Sequence, residues 1–295
     1  MIELPKDWKI YSNSIRDRCR DLIQHKIWSG IELVQFNKWR NNFKTDEEKY
    51  FSACVLDSLI YRSNQQTYSL IEDMLFKNLN NLFRTLGCSD ITDFPNNMTT
   101  HITDPLIRFV PVITRFDPVT KSSNEILRFM KRYFYICEQW IINPWNIEEE
   151  VKKGVKVFIF IDDFLGTGQQ FDDAITYSNL DKTMKNSTFI YATLLAHENG
   201  IKFLENEHPL VKIVQSERLS NSSHSFFNNY FVKNEMGAKS FYTEMIQKRG
   251  ITLSEGNEYG FGNLELTVAF EHAAPDNSLQ ILTYRTENWN PLFNR

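Results

Sequence analysis

The hydrophobic rhythm of the chain changes near residue 100. Before that point apolar residues recur at three- and four-residue steps, the spacing of one face of a helix. Tyr50, Phe51, Cys54, Val55 and Leu59 follow Thr45-Asp46-Glu47-Glu48, a hydroxyl cap with an acidic first turn. Leu70, Ile71, Met74, Leu75, Leu79 and Leu82 form a second face, with Ser63 or Asn64 as its cap and Gly87 as its stop. An earlier helix is expected over about residues 13–41. Residues 1–100 are therefore expected to form an all-α N-terminal region.

Beyond residue 100 short β-rich runs alternate with helical ones. Residues 106–113 suit a strand, and Pro111 within it demands an edge or a strand end. A helix is expected over 124–140, a strand over 155–161, a helix from 169, a strand over 188–195 and a short helix near Ile201. Residues 210–214 suit another strand, 235–247 a helix, and 264–270 and 279–284 two last strands. Such alternation predicts an α/β domain over 101–295, a mostly parallel sheet flanked by helices. No internal repeat or low-complexity tract interrupts it.

Residues 157–171 carry the chemistry. Five apolar residues end in two adjacent acids, Asp162 and Asp163. A small-residue turn follows, Gly166-Thr167-Gly168, and then Gln169, Gln170 and Phe171 open a helix. Carboxylates at the end of a strand can take hydroxyls or a divalent cation, and loop amides at a helix N-terminus suit a phosphate. Two other loops compete with this reading. Gly166-x-Gly168 begins a dinucleotide fingerprint, but Phe171 stands where the third glycine belongs, and the acids precede the loop instead of following it by about 20 residues. A Walker A cradle needs Gly-Lys-Ser/Thr, which is absent. The plain structural alternative is a pair of aspartates that merely ends a strand.

Composition narrows the class. With 42% hydrophobic and 14% aromatic residues, 295 residues can bury a sizeable core. The net charge is −4, with 33 basic residues scattered among 37 acidic ones, so no stripe for autonomous nucleic-acid binding is expected. Cys19, Cys54, Cys88 and Cys137 lie far apart and suit buried thiols. No signal core opens the chain and no apolar run spans a bilayer, so a cytoplasmic protein without membrane contact is expected. The six histidines form no metal-binding pair, and no serine sits in a nucleophile elbow.

The apolar run, the Asp162-Asp163 pair and the Thr167-Gly168 turn resemble the ribose-phosphate signature of the type I phosphoribosyltransferases. The resemblance implies that Asp162 and Asp163 face the ribose hydroxyls, directly or through Mg²⁺, and that Gly166, Thr167, Gly168, Gln169, Gln170 and Phe171 wrap the 5′-phosphate. It also implies a pyrophosphate loop after an earlier strand, for which Lys121, Ser122 and Ser123 are the candidates, with Arg115 or Arg128 assisting. Gly166 stands where enzymes acting on 6-oxopurines carry a base-contacting aspartate, which turns the expectation away from hypoxanthine or guanine salvage. Gln169 and Gln170 also depart from the family's small and hydroxyl residues.

Further pocket candidates are Arg218 and His224, in a polar stretch after a strand, and His272, in a turn-forming block between the last two strands. His197-Glu198 has the same standing. The helical lead and the tail together resemble a branch of phosphoribosyltransferase-like proteins found in bacterial conflict operons, some of them antiphage. That resemblance implies either an enzyme acting at the ribose C1 bond of phosphoribosyl diphosphate or a nucleotide, or an inactive nucleotide sensor that regulates a partner protein encoded nearby.

Overall fold

The computed structural model describes residues 2–86, 98, 106–252 and 255–293. Six strands occur among them: β1 (Ile60–Arg62), β2 (Ile107–Pro111), β3 (Val157–Leu165), β4 (Thr188–His197), β5 (Lys212–Leu219) and β6 (Val268–Phe270). The chain divides into two compact units, one of residues 66–219 and one of residues 1–65 with 220–295. The sequence expectation placed a single boundary near residue 100 instead.

Unit 66–219 holds a four-stranded sheet in the order β2-β3-β4-β5, parallel throughout. Every residue of β3 is buried, as a central parallel strand requires when both faces are covered. Phe158, Phe160 and Tyr191 pack with Phe171, Ala174, Ile175, Ile201 and Leu204 from the helices Gln169–Tyr177 and Glu198–Glu207. Pro111 ends the edge strand β2 opposite Ile161, where a missing N–H costs the ladder nothing further. Asp162 and Asp163 therefore emerge just past the end of β2. The helical stretch Asn64–Glu72 continues through a π-helical turn, Asp73–Asn78, into Leu79–Thr85. Ser216 Oγ donates to the Leu70 carbonyl at 2.9 Å and Asn78 Nδ2 to the Gln215 carbonyl at 3.2 Å, which ties this stretch to β5.

Unit 1–65 with 220–295 pairs β1 with β6 in parallel. Its core centres on Phe51, whose ring meets Phe226, Phe231, Phe241 and Tyr242. The Thr45 cap forms as expected: its hydroxyl accepts from the Glu48 amide at 3.2 Å, and Glu48 closes a full capping box on the helix Asp46–Ser58. Both Glu48 carboxylate oxygens also accept from Arg249 Nη2, at 2.7 and 2.8 Å. Trp28 and Trp39 are both core residues of this unit.

Several elements differ from the sequence expectation, each for a local reason. The helix expected over 13–41 is two helices, Trp8–Gln24 and Leu33–Arg40, because Lys26 and Gly30 take positive φ (58° and 81°). At Gly30 a Cβ would lie 2.5 Å from the Glu271 side chain, so the break is also a close approach. The helix expected over 124–140 is Ser122–Tyr133, stopped by Tyr135 at φ 55°. The strand expected over 264–270 shrinks to β6, since Glu265 at φ 57° cannot continue a ladder. Residues 279–284 form no strand: Gln280–Leu282 is a single 3₁₀ turn. The Ile281 carbonyl there is taken by the indole N–H groups of Trp39 and Trp289, at 2.8 and 3.1 Å. Gly87 and Cys88 lie outside the described residues.

Candidate functional site

The site is built at the carboxyl end of β3. The strand carries Asp162 and Asp163 straight into Gly166-Thr167-Gly168, and the helix Gln169–Tyr177 begins at once. Gly168 sits at φ 90° with a left-handed backbone, and a Cβ there would come within 2.5 Å of the Phe203 ring. Glycine is required on both counts. The Thr167 hydroxyl accepts from the Gln169 amide at 3.4 Å, and the Asp172 amide bonds the Gly168 carbonyl at 3.2 Å. A first helical turn leaves amides without intrahelical partners, and this turn is open at Gln169, an exposed residue.

The segment after β2 comes to the same place. Ser122 Oγ donates to Asp163 Oδ1 at 2.8 Å. Lys121 Nζ lies 3.5 Å from Gln170 Oε1 and 3.7 Å from Asp117 Oδ1, and Gln170 Nε2 donates to the Val112 carbonyl at 2.7 Å. Ser123 is buried, its hydroxyl 3.5 Å from that same Val112 carbonyl. Lys121, Ser122 and Ser123 are thus gathered with Asp163 and Gln170, although Ser122 and Asp163 are 41 positions apart in the chain and Lys121 and Gln170 49. Arg115 stacks over the Trp145 ring, 5.6 Å from its centroid, and Arg128 pairs with Glu125 at 2.9 Å.

The two acids are deeply buried, Asp162 at 2% and Asp163 at 4% exposure. Asp162 Oδ2 accepts from the Tyr191 hydroxyl at 2.7 Å, and its Oδ1 accepts from the Asp163 amide at 3.1 Å. Burial and the neighbouring Asp163 hold the Asp162 carboxyl well above the usual carboxylate range, against the Tyr191 hydrogen bond. Burial and Asp162 likewise push the Tyr191 phenol up, so it remains a donor.

Among the described residues no group of three His, Cys, Asp or Glu side chains is arranged to hold a metal ion. Asp162 and Asp163 offer hard oxygen ligands here. Mg²⁺ binds such sparse carboxylates when phosphate and water supply its remaining oxygens, so the donor set suits a cation that arrives with a diphosphate.

Two residues that pattern reading did not single out also shape the site. Tyr191, in the mainly apolar strand β4, reaches Asp162. Gly200, in the first turn of Glu198–Glu207, has only 2.6 Å between an ideal Cβ and the Gly166 carbonyl oxygen, so that helix rests directly on the loop. His197 caps this helix, its Nδ1 accepting from the Asn199 amide at 3.2 Å.

Arg218 is an exposed residue within β5, two strands away from β3, so most of the polar stretch expected after a strand belongs to the edge strand itself. His224 belongs to the other unit and closes a short local turn, its Nδ1 2.9 Å from the Ser220 amide. His272 belongs to that unit as well, beside the Phe270 ring at 5.0 Å.

A parallel sheet that delivers an acid pair into a glycine turn at a helix start, with a serine from the helix after the neighbouring strand on one acid, fits a phosphoribosyltransferase-type α/β protein. The PRTase-CE family model matches residues 36–295, and the chain belongs to that phosphoribosyltransferase-type family. No curated protein and no solved structure matches it.

Proposed function

We propose that the protein binds phosphoribosyl diphosphate or a nucleotide and acts at the ribose C1 bond. One observation carries the reading: the Lys121-Ser122 segment meets Asp163 and Gln170 at the mouth of the Gly166–Gly168 turn. In this reading the Thr167 hydroxyl and the amides from Gly166 to Phe171 receive the 5′-phosphate, helped by the helix dipole. Asp162 and Asp163 take the ribose hydroxyls and stabilise the cationic charge that develops on the sugar as the C1 bond breaks. Lys121, Ser122 and Ser123 receive the diphosphate end. Asp162 and Asp163 would also hold Mg²⁺, whose chemistry is to neutralise the leaving diphosphate.

The setting we propose is a cytoplasmic effector of a bacterial defence system, on the resemblance of the helical lead and tail to proteins of conflict operons. Phage plating on cells carrying wild type or Asp162→Asn/Asp163→Asn tests it, and equal plating removes the defence role. For the ligand, calorimetry with phosphoribosyl diphosphate and nucleoside monophosphates, each with and without Mg²⁺, is the direct measurement. Heat of binding is expected for at least one of them, and none for any would overturn the ribose-phosphate reading.

A second reading is favoured by the burial of the acids. Both are nearly inaccessible and each is already bonded by a hydroxyl. This suits a protein that senses a nucleotide and regulates a partner without turnover. Released base or pyrophosphate in the calorimetry samples marks the enzyme; binding without release marks the sensor.

A further inference from the structure

One side chain of β4, Tyr191, bonds Asp162. Tyr191 stands opposite Phe160 in the register of β3 and β4, two pairs short of Asp162 opposite Thr193 and on the same face. The side chain therefore leans along the strand to reach Asp162 Oδ2 at 2.7 Å. Its ring meets Phe171 edge to face, centroids 5.1 Å apart at 90°. Phe171 also meets Phe160 at 5.1 Å and His208 at 5.5 Å, the last held by Asp172 at 2.9 Å. Phe171 is the first buried residue of the helix whose opening turn is the phosphate loop. One side chain, 1% exposed, thus touches both the acid and the start of the helix.

From this geometry we infer that Tyr191 is a positioning residue: its hydroxyl fixes the rotation of the Asp162 carboxyl toward the ligand while its ring sets the phosphate loop through Phe171. With Oδ2 held by Tyr191 and Oδ1 by the Asp163 amide, the plane of the carboxyl is determined, and its second lone pairs are aimed rather than free to turn. A carboxyl already held in orientation loses less freedom when a ligand meets it. The inference rests on the ribose-phosphate reading above.

A double-mutant cycle on binding of phosphoribosyl diphosphate with Mg²⁺ tests it, using wild type, Tyr191→Phe, Asp162→Asn and the double variant. Tyr191→Phe keeps the ring on Phe171 and removes the hydroxyl alone. Its Kd should rise on the order of tenfold to a hundredfold. In the Asp162→Asn background the same change should cost less than threefold, because the acceptor it orients is gone. Wild-type affinity in Tyr191→Phe, or equal losses in both backgrounds, overturns the inference while leaving the binding site intact. Failure of wild type to bind overturns the ribose-phosphate reading itself. If Tyr191→Phe does not fold, 3-fluorotyrosine installed at 191 keeps ring and hydroxyl. Its fluorine resonance should move on Asp162→Asn exchange and again on adding ligand, and a resonance blind to both overturns the inference.

Discussion

A carboxyl that is 2% exposed and adjacent to a second carboxyl loses solvation and meets like charge when it ionises. Asp162 is such a group, and its folded-state pKa lies above the ordinary 3.8. Between those two values the folded protein keeps a proton that the unfolded chain has released. The stability contributed by this acid is therefore complete below about pH 4 and is lost as pH rises toward the folded value. Asp162→Asn is neutral at every pH and escapes that loss. Its Tm relative to wild type should climb as pH is raised above about 4, as followed by circular dichroism. A constant difference across that range would mean an ordinary carboxyl. At this scale the sequence was most informative where chemistry is local. Asp162, Asp163, Thr167 and Gly168 are adjacent in the chain, and their strand and helix are visible from the apolar run and the turn. Tyr191 was not visible, since its role depends on the register of β4 against β3.

At the level of elements, the contact between the helix Glu198–Glu207 and the phosphate loop is the most specific. Gly200 lies in that helix without positive φ, and alanine is a better helix former than glycine by about 1 kcal/mol. Propensity alone would make Gly200→Ala stabilising. The contact reverses the sign: the new Cβ meets the Gly166 carbonyl oxygen at 2.6 Å, and backbone cannot swing aside as a long side chain can. A net destabilisation of roughly 1–3 kcal/mol is expected from urea unfolding, with weaker ligand binding as the loop shifts. A more stable variant would show that the helix has room to move. The capping box at Thr45, the strand break at Pro111 and the helix Glu235–Gln247 all follow from short-range signals. The breaks at Lys26, Tyr135 and Glu265 did not announce themselves, because a non-glycine residue at positive φ is imposed by packing.

For the whole molecule, the division into residues 66–219 and residues 1–65 with 220–295 means that one unit needs both ends of the chain. β1 has β6 as its partner, and the core around Phe51 is completed by Phe226, Phe231 and Tyr242. A chain ending at Leu219 should lose hydrogen-exchange protection in β1 and in the helix Asp46–Ser58, while β3 and β4 keep theirs. Equal loss in all four would contradict two separately packed units. No helix among the described residues is long and apolar enough to cross a membrane. The sequence alone determined the elements that arise from neighbours in the chain: the helical lead, the alternating α/β pattern, and the acid pair running into a glycine turn. Side-chain periodicity, caps and turn residues act within a few positions, so they can be read directly. Only the tertiary structure decided that residues 1–65 close with the tail, that Lys121 and Ser122 reach Asp163 and Gln170, and that Tyr191 and Gly200 bear on the acid and the loop. Those pairings join residues 29 to 208 positions apart, and sheet register with close packing, not local pattern, selects them.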